Sequence, residues 1–494
     1  LALTRGPLSI LAVLLLAGSA FAQENSDVQA RRLLDDGRAY WTQGKLKQAL
    51  DNFNIIVASF PNSSSIGQAL IEIGRYRMDV EGDAEKARAS FEQVAKQYPQ
   101  SDGAPGAYYY LGLLTLNRAN TASDLDDALA QFTRVQNLYP TKSEWVSKAL
   151  QASGLVYRKA GKYAEAIDVN RRVSLEYPSS EAAPAAQFYI GHAMALLGDP
   201  RQAMEEFQQV RNRFPDSEWS ARALERITAL YRLYGTPKPA FALDPGFVAG
   251  AGDVLKDVRA ILVAPSGALW IASDKTKSAV PIDAAGKVGA GLAGEDLRAL
   301  SLSPLGVVIV AAKTAVRFGA KDLRSFSIPS DKPGVPEVLE RILSATVTPG
   351  GMVLVADEKR NKIYRFDAAY EWKGLFPDKD VKERQVTRML MDGEGGIVCL
   401  DRAEKTVRVF DETGKVLRTL GPAGFKKPVD VAVDPFRNAY VADEEAGVLV
   451  FNPAGQLLTT LGGPELKRPK AITLDAAGAL LVYDERAEKV LRYK

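Results

Sequence analysis

Cysteine and histidine are almost missing: the 494-residue chain holds one of each, Cys399 and His192. A single Cys cannot make an intrachain disulfide framework, and one Cys with one His cannot build a zinc cluster. Acid–base chemistry of the histidine kind has only His192 to draw on. An excess of either charge is also missing, with 63 Lys and Arg against 60 Asp and Glu. Residues 23–235 carry 25 basic and 26 acidic side chains, and residues 236–494 carry 37 and 34. Neither stretch is the basic body of a nucleic-acid binder, so no nucleic acid is expected as partner. The apolar run from Leu8 to Ala22 is about 15 residues, short of the roughly 20 needed to cross a bilayer. No transmembrane helix is therefore expected in the mature chain. What remains is an ordinary folded composition, 46% hydrophobic and 25% charged, which excludes a disordered or polytopic membrane chain and leaves room for two or three domains.

The N-terminus reads as an address. Arg5 precedes the apolar run, which ends Ala20-Phe21-Ala22 and gives way to the polar Gln23-Glu24-Asn25-Ser26-Asp27. A small-x-small end of this kind marks a secretory signal over residues 1–22, with cleavage expected after Ala22 and a periplasmic or secreted product. No Cys follows to carry a lipid, and a retained N-terminal anchor is the alternative. The first residue is Leu rather than Met, which fits an alternative start codon or a fragment.

Aromatic-Pro pairs then recur at Phe60-Pro61, Tyr98-Pro99, Tyr139-Pro140, Tyr177-Pro178 and Phe214-Pro215. Upstream of each Pro stand an Ala and, in four copies, a Phe: Ala49/Phe53, Ala87/Phe91, Ala128/Phe132 and Ala203/Phe207. The fourth copy keeps Ala166 but has Asn170. Gly37/Tyr40 and Gly154/Tyr157 lie further back. Small residues let two helices approach, the aromatic fills the gap between hairpins, and Pro ends the second helix. The pattern resembles the tetratricopeptide repeat, five copies over about residues 28–216, with Ser217 to Tyr234 as a capping helix. The Ser and Ala-rich start after four of these Pro residues, as in Tyr177-Pro178-Ser179-Ser180-Glu181-Ala182-Ala183, is similar to modules of bacterial outer-membrane assembly lipoproteins and of the periplasmic coordinator of the Tol-Pal system. That resemblance implies an envelope setting, although the lipidated Cys is absent.

Thr236-Pro237-Lys238-Pro239 breaks the helical pattern and reads as a linker between a solenoid over residues 23–235 and a second domain over 240–494. Beyond it the apolar period changes to two. Tight turns follow apolar strands at Ala264-Pro265-Ser266-Gly267, Ser303-Pro304-Leu305-Gly306, Thr348-Pro349-Gly350-Gly351, Asp392-Gly393-Glu394-Gly395, Asp434 to Asn438 and Asp475 to Gly478. The spacing predicts six four-stranded units, hence a six-bladed β-propeller behind the α-solenoid, a multidomain chain that is α first and β second. Pro428-Val429-Asp430-Val431-Ala432-Val433-Asp434, followed by Ala439-Tyr440-Val441-Ala442-Asp443, resembles the NHL repeat. The last unit runs out at its third strand, so Ala240 to Val248 is expected to supply the fourth and remove an open edge.

The candidate sites are few. Asp274, Asp357, Asp401, Asp443 and Asp484 follow the second strand of most blades, and such recurrence points to a turn hydrogen bond rather than a metal or acid–base site. Asp392-Gly393-Glu394-Gly395 reads as a turn, Cys399 as an inner strand residue, and His192 as a packed helical residue far from the propeller. Basic clusters lie between blades: Lys379, Lys382 and Arg384, then Lys426 and Lys427, then Lys467, Arg468 and Lys470. Of these, Arg384, Lys426, Lys427, Lys467 and Arg468 are candidates for partner binding on a face of mixed sign, together with the groove aromatics Tyr40 and Tyr157.

No catalytic, metal or cofactor residues are assigned, and no cofactor is expected. The composition favours a non-enzymatic protein-interaction scaffold of the bacterial cell envelope, binding protein partners, a polysaccharide or copies of itself. Two alternatives stand beside it. One is a hydrolase or lyase with a metal on the propeller axis, since NHL-like propellers include amidating lyases and lactonases that use metal-bound His or carboxylates, whereas this propeller has no His. The other is a structural subunit of an extracellular polymer.

Overall fold

The computed structural model describes residues 8–494 apart from 120, 248–251, 331–333, 378–384 and 422–423, and gives the backbone alone for residues 8–24. Its helices are α1 (Leu8–Thr42), α2 (Leu46–Ser59), α3 (Ile66–Asp79), α4 (Ala84–Gln97), α5 (Ala104–Arg118), α6 (Ala122–Leu138), α7 (Ser143–Lys159), α8 (Tyr163–Glu176), α9 (Ala183–Leu196), α10 (Pro200–Arg213) and α11 (Glu218–Tyr234). They follow the sequence as five hairpins and a final single helix, as the aromatic-Pro spacing requires. Phe60, Tyr98, Tyr139 and Phe214 are the residues at which their helices stop, with φ near −130°. A following Pro denies its predecessor the α region, so the helix cannot continue through the pair. At the other end Asp83 and Asp199 cap α4 and α10 by accepting from Lys86 N and Gln202 N.

The glycines explain the hairpin spacing. A Cβ on Gly37, Gly74 or Gly112 would lie 2.5, 2.3 or 2.6 Å from the ring of Phe53, Phe91 or Phe132. Each Phe is fully buried, so the ring of the second helix sits directly on the bare backbone of the first. In the fourth copy Asn170 is buried too, and its amide donates to Ala166 O of its own turn at 2.8 Å.

The chain divides into two compact units, Leu1–Ala160 with Arg172–Ala183 and Gly161–Arg171 with Pro184–Lys494. The second holds the propeller. Blade 1 comprises β1 (Val258–Val263), β2 (Leu269–Ser273), β3 (Ser278–Ile282) and β4 (Leu292–Ala293); blade 2 comprises β5 (Leu297–Leu302), β6 (Val308–Ala312), β7 (Val316–Phe318) and β8 (Asp322–Arg324). A short pair, β9 (Ser327–Ile328) and β10 (Glu337–Val338), precedes blade 3, which is β11 (Ile342–Val347), β12 (Val353–Asp357), β13 (Lys362–Phe366) and β14 (Trp372–Phe376). Blade 4 is β15 (Val386–Met391), β16 (Ile397–Asp401), β17 (Thr406–Phe410) and β18 (Val416–Leu420); blade 5 is β19 (Pro428–Val433), β20 (Ala439–Asp443), β21 (Gly447–Phe451) and β22 (Leu457–Leu461). Blade 6 has β23 (Pro469–Leu474), β24 (Leu480–Asp484) and β25 (Lys489–Tyr493).

Every blade is an antiparallel meander, and every first strand carries a bulge at its second residue. The missing edge of blade 6 is filled from the other end of the domain. Ala242 N donates to Lys494 O, Lys494 N to Ala242 O and Asp244 N to Arg492 O, each at 2.8 Å, around the bridge Leu243–Tyr493. The pairing is a single bridge, shorter than the Ala240 to Val248 strand expected, and Val248 lies outside the described residues.

Within the same unit, helices α9 and α11 rest on the turns between the first and second strands of blades 4 to 6. His192 is therefore not remote from the propeller. Its Nε2 lies 3.1 Å from Glu394 Oε1 of the blade 4 turn, and its ring packs 5.6 Å from Phe436 of the blade 5 turn. Phe436 in turn stands 6.2 Å from Phe207, so a propeller residue completes the core of the last repeat. From α11, Arg226 donates to Ala476 O at 3.2 Å, Arg232 to Gly478 O, and Tyr234 to Asn438 Oδ1 at 2.6 Å. Asn438 passes the chain on to Asp434 Oδ2 at 2.7 Å, while Asp434 Oδ1 accepts from Phe436 N and Asn438 N. Burial pushes the Asp434 carboxyl up to about 6, against the pull of these bonds.

Two outcomes are expected. Replacing both Ala242 and Asp244 by Pro removes two donors of the closing ladder and should lower stability by roughly 1–3 kcal/mol, whereas Leu243→Pro leaves both donors in place; thermal unfolding of the full chain compares them, and equal melting temperatures would refute closure through this segment. For Asp434 the folded value exceeds the ordinary one near 4, so between about pH 4 and 6 the folded state holds more protons and its stability falls as pH rises. Relative to Asp434→Asn, the wild-type chain should lose on the order of 3 kcal/mol across that window, read from denaturant unfolding at several pH values.

Candidate functional site

The recurrent aspartates sit at the end of the second strand, directly under the loop that enters the blade. Asp443 Oδ2 accepts from Lys426 N and Lys427 N at 2.7 and 2.8 Å, and its Oδ1 accepts from Glu445 N and Ala446 N. Asp484 repeats this with Lys467 N, Arg468 N and Ala487 N, and Asp401 with Gln385 N, Ala403 N and Glu404 N. Asp357 holds Arg360 through its backbone N–H and its guanidinium. These four are buried, and each pairs with the first residue of its blade. Asp443 and Asp484 spend both oxygens on backbone donors, which is the turn role expected, whereas Asp357 shares one oxygen between a backbone and a side-chain donor. Asp274 is out of step: the equivalent position of blade 1 is Ser273, and in blade 2 it is Ala312. It still ties blade 1 to blade 2, accepting from Leu297 N at 2.7 Å and from Arg259 Nε.

Of the candidate cations, the structure brings Lys427 and Arg468 together on one acid. Glu444 lies 2.6 Å from Lys427 Nζ and 3.2 Å from Arg468 Nη2, with Lys470 at 4.0 Å. Burial works to raise the Glu444 pKa, but Lys427 and Arg468 outweigh it and hold the carboxyl below its usual range. Arg468 and Lys470 also pair with Glu485 at 3.1 and 2.8 Å. Lys426 and Lys467 are exposed beside this cluster. The face is mixed in sign, and three of its five cations, Lys427, Arg468 and Lys470, meet Glu444 or Glu485. Lys379, Lys382 and Arg384 lie outside the described residues.

In the first unit, Tyr40 is half-buried against the α1–α2 core with Lys45 Nζ 5.7 Å from its ring, and Tyr157 is half-buried on α7. A more continuous array lies on the first helices of the hairpins. Glu72 of α3, almost fully buried, binds Arg38 of α1 at 2.9 Å and Arg75 at 2.7 Å. Arg75 covers the ring of Trp41 at 5.1 Å. Tyr109 and Tyr110 of α5 stand 5.7 and 6.1 Å from Trp145 of α7, which Lys148 overlies at 5.4 Å. Lys148 pairs with Glu144 and Glu181 at 2.9 and 2.8 Å. Burial lifts the Tyr110 hydroxyl to about 12 despite the nearby Arg75. Sequence reasoning passed over Arg75, Trp145 and Lys148. Their signal was position, since each stands on the first helix of a hairpin away from the Gly and Phe contact.

Arg388 and Asp430 were also passed over. They meet inside the propeller, Nε to Oδ1 at 3.1 Å, with both side chains nearly inaccessible. Among the described residues no group of three or more His, Cys, Asp and Glu is placed to hold a metal ion, and no helix is long and apolar enough to cross a membrane.

Residues 66–101 and 185–217 match the family model of the tetratricopeptide repeat. Repeats of this kind and propellers are protein-interaction folds, and the chain joins the two. No curated protein matches it. Among solved structures, a streptogramin B lyase is similar at 11% identity, over 51% of this chain and 97% of that one, with a TM-score of 0.39. A catalytically inactive virginiamycin B lyase from Staphylococcus aureus with quinupristin is similar at 16% identity, over 51% and 85%, with a TM-score of 0.40.

Replacing Asp443 or Asp484 by Asn turns one acceptor oxygen into a donor that faces backbone N–H groups. Each change should cost roughly 1–3 kcal/mol, and Asp274→Asn should cost less because that carboxyl is partly solvated. Denaturant unfolding of the three variants gives the order, and an Asp274→Asn loss larger than the other two would contradict it.

Proposed function

We propose that the protein is a non-enzymatic scaffold of the bacterial cell envelope, exported by its N-terminal signal, which holds protein partners on the first-helix face of its repeats and on the loop face of its propeller. The observation that carries this reading is the array from Trp41 and Arg75 through Tyr109, Tyr110 and Trp145 to Lys148. Rings that are rigid and half-buried, with charged groups laid over them, provide contact area at small entropic cost, which is the make-up of interface anchors. Asp443 and Asp484 fit a role without catalysis, because their oxygens already serve backbone donors, and His192 is committed to a buried contact with Glu394. The envelope setting rests on the segment from Arg5 to Ala22.

Cross-linking in cells followed by purification of the tagged full chain tests the proposal. Wild type should recover a reproducible set of envelope proteins, and the mature chain should begin at Gln23. Arg75→Gln with Lys148→Gln, and separately Lys426→Glu with Lys467→Glu, should each deplete part of that set at least several-fold while far-ultraviolet circular dichroism is unchanged. Undiminished capture by both pairs, or a cytoplasmic location with residues 1–22 retained, would overturn it.

A further inference from the structure

Reading the third residue of each first strand round the ring gives Ala260, Ala299, Ser344, Arg388, Asp430 and Ala471, all buried, and of these Arg388 lines the central cavity. Four are small. The other two fill the space that the small ones leave: the Arg388 guanidinium reaches from blade 4 to Leu300 O of blade 2 and faces Asp430 of blade 5. Asp430 also accepts from Val431 N and Ile472 N, both at 2.9 Å. Arg388 is 5% exposed and carries five N–H donors, more than these partners consume. Above it, toward the turns between first and second strands, lies a cavity of about 170 Å³. Its mouth is the sixth position of the first strands, where Val263, Leu302, Met391, Val433 and Leu474 are half-exposed.

We propose that this cavity is a binding site for a short-chain monocarboxylate, with the carboxylate on Arg388 and the hydrocarbon tail among the ring of apolar side chains at the mouth. The chemistry narrows the choice. Arg388 at one end, Ser301 and Thr473 on the wall and apolar side chains at the mouth suit an amphipathic ligand. A planar guanidinium takes a carboxylate in a two-point contact. One guanidinium matches a single carboxylate and leaves the second charge of a dianion such as phosphate unmatched. Burial raises the Asp430 pKa against the pull of Arg388, and a protonated Asp430 leaves the charge of the guanidinium to the incoming carboxylate. A space of about 170 Å³ admits a chain of several carbons.

The test uses the full chain with hexanoate as probe and hexanamide as its neutral counterpart, followed by calorimetry and thermal unfolding. Hexanoate should bind with one-to-one stoichiometry and raise the melting temperature saturably, and hexanamide should bind at least about tenfold more weakly. Leu302→Trp fills the mouth and should abolish binding while keeping the wild-type melting temperature; should it fail to fold, Val433→Phe gives the same blockade from blade 5. Arg388→Met with Asp430→Leu replaces the buried pair by apolar groups, a change that buried ion pairs often tolerate, and should erase the preference for the acid over the amide. Absence of saturation up to about 10 mM, equal affinity for acid and amide in wild type, or binding that survives the blockade would each overturn the site.

Discussion

The pairing of Ala242 and Asp244 with the last strand settles where a repetitive chain can end. A strand repeat presents an unpaired row of N–H and C=O groups at each terminus, and a helical repeat presents an uncovered apolar face. Both problems are met within about twenty residues. Arg226, Arg232 and Tyr234 seat α11 on the propeller turns, Ala240 N then bonds back to Arg232 O at 2.8 Å, and the next residues complete blade 6. The helix that would otherwise expose the last repeat is thus held by the segment that closes the ring.

Closure fixes the electrostatics of the two propeller ends differently. At the loop end, carboxylates such as Asp443 and Asp484 are sealed among backbone N–H groups, and Glu444 offsets part of the surface charge of Lys427 and Arg468 above them. At the turn end, buried charge is shared with the helices: burial lowers Arg226 and Arg232 and raises Asp434. Groups that each resist desolvation are tolerated there because Arg226 and Arg232 reach carbonyls of the facing turn and Asp434 is held by donors of its own turn, and leaving one unpaired would cost more than the bond contributes. This polar joint also fixes register, since a one-turn slip of α11 would strand Arg232 and Tyr234 together.

The architecture was legible because both repeats obey periods that only one packing satisfies. Pro spacing near forty residues, with Gly facing Phe, leaves no alternative to stacked hairpins, and the ring-on-backbone contacts of Gly37, Gly74 and Gly112 are the physical content of that spacing. Blade boundaries were equally plain, down to strands such as Lys362–Phe366. Asp274 was misaligned by one residue because blade 1 lacks the aspartate, and an acid nearby imitated it. The contact of His192 with Glu394 joins positions 202 apart and follows no period, so nothing local could disclose it. The same holds for Phe436, which reads as a turn residue yet completes a helical core.

Departures from the repeat are where the site residues stand. A position filled by Ala or Ser in four blades is under packing pressure alone; the same position filled by Arg388 and Asp430 in adjacent blades requires a partner, a desolvation cost and a geometry that the other blades do not need. The repeats follow the same logic. Gly, Ala and Phe at the contact within a hairpin are dictated by helix approach, whereas Arg75, Trp145 and Lys148 lie outside that contact, between one hairpin and the next or over buried Glu72. A fold built from near-identical modules sets the small and apolar residues at each equivalent place, so the residues free to specify a ligand are those that break the equivalence. On that argument the propeller axis and the first-helix face stand apart from the aspartate rim, whose regularity is already explained by the turns it holds.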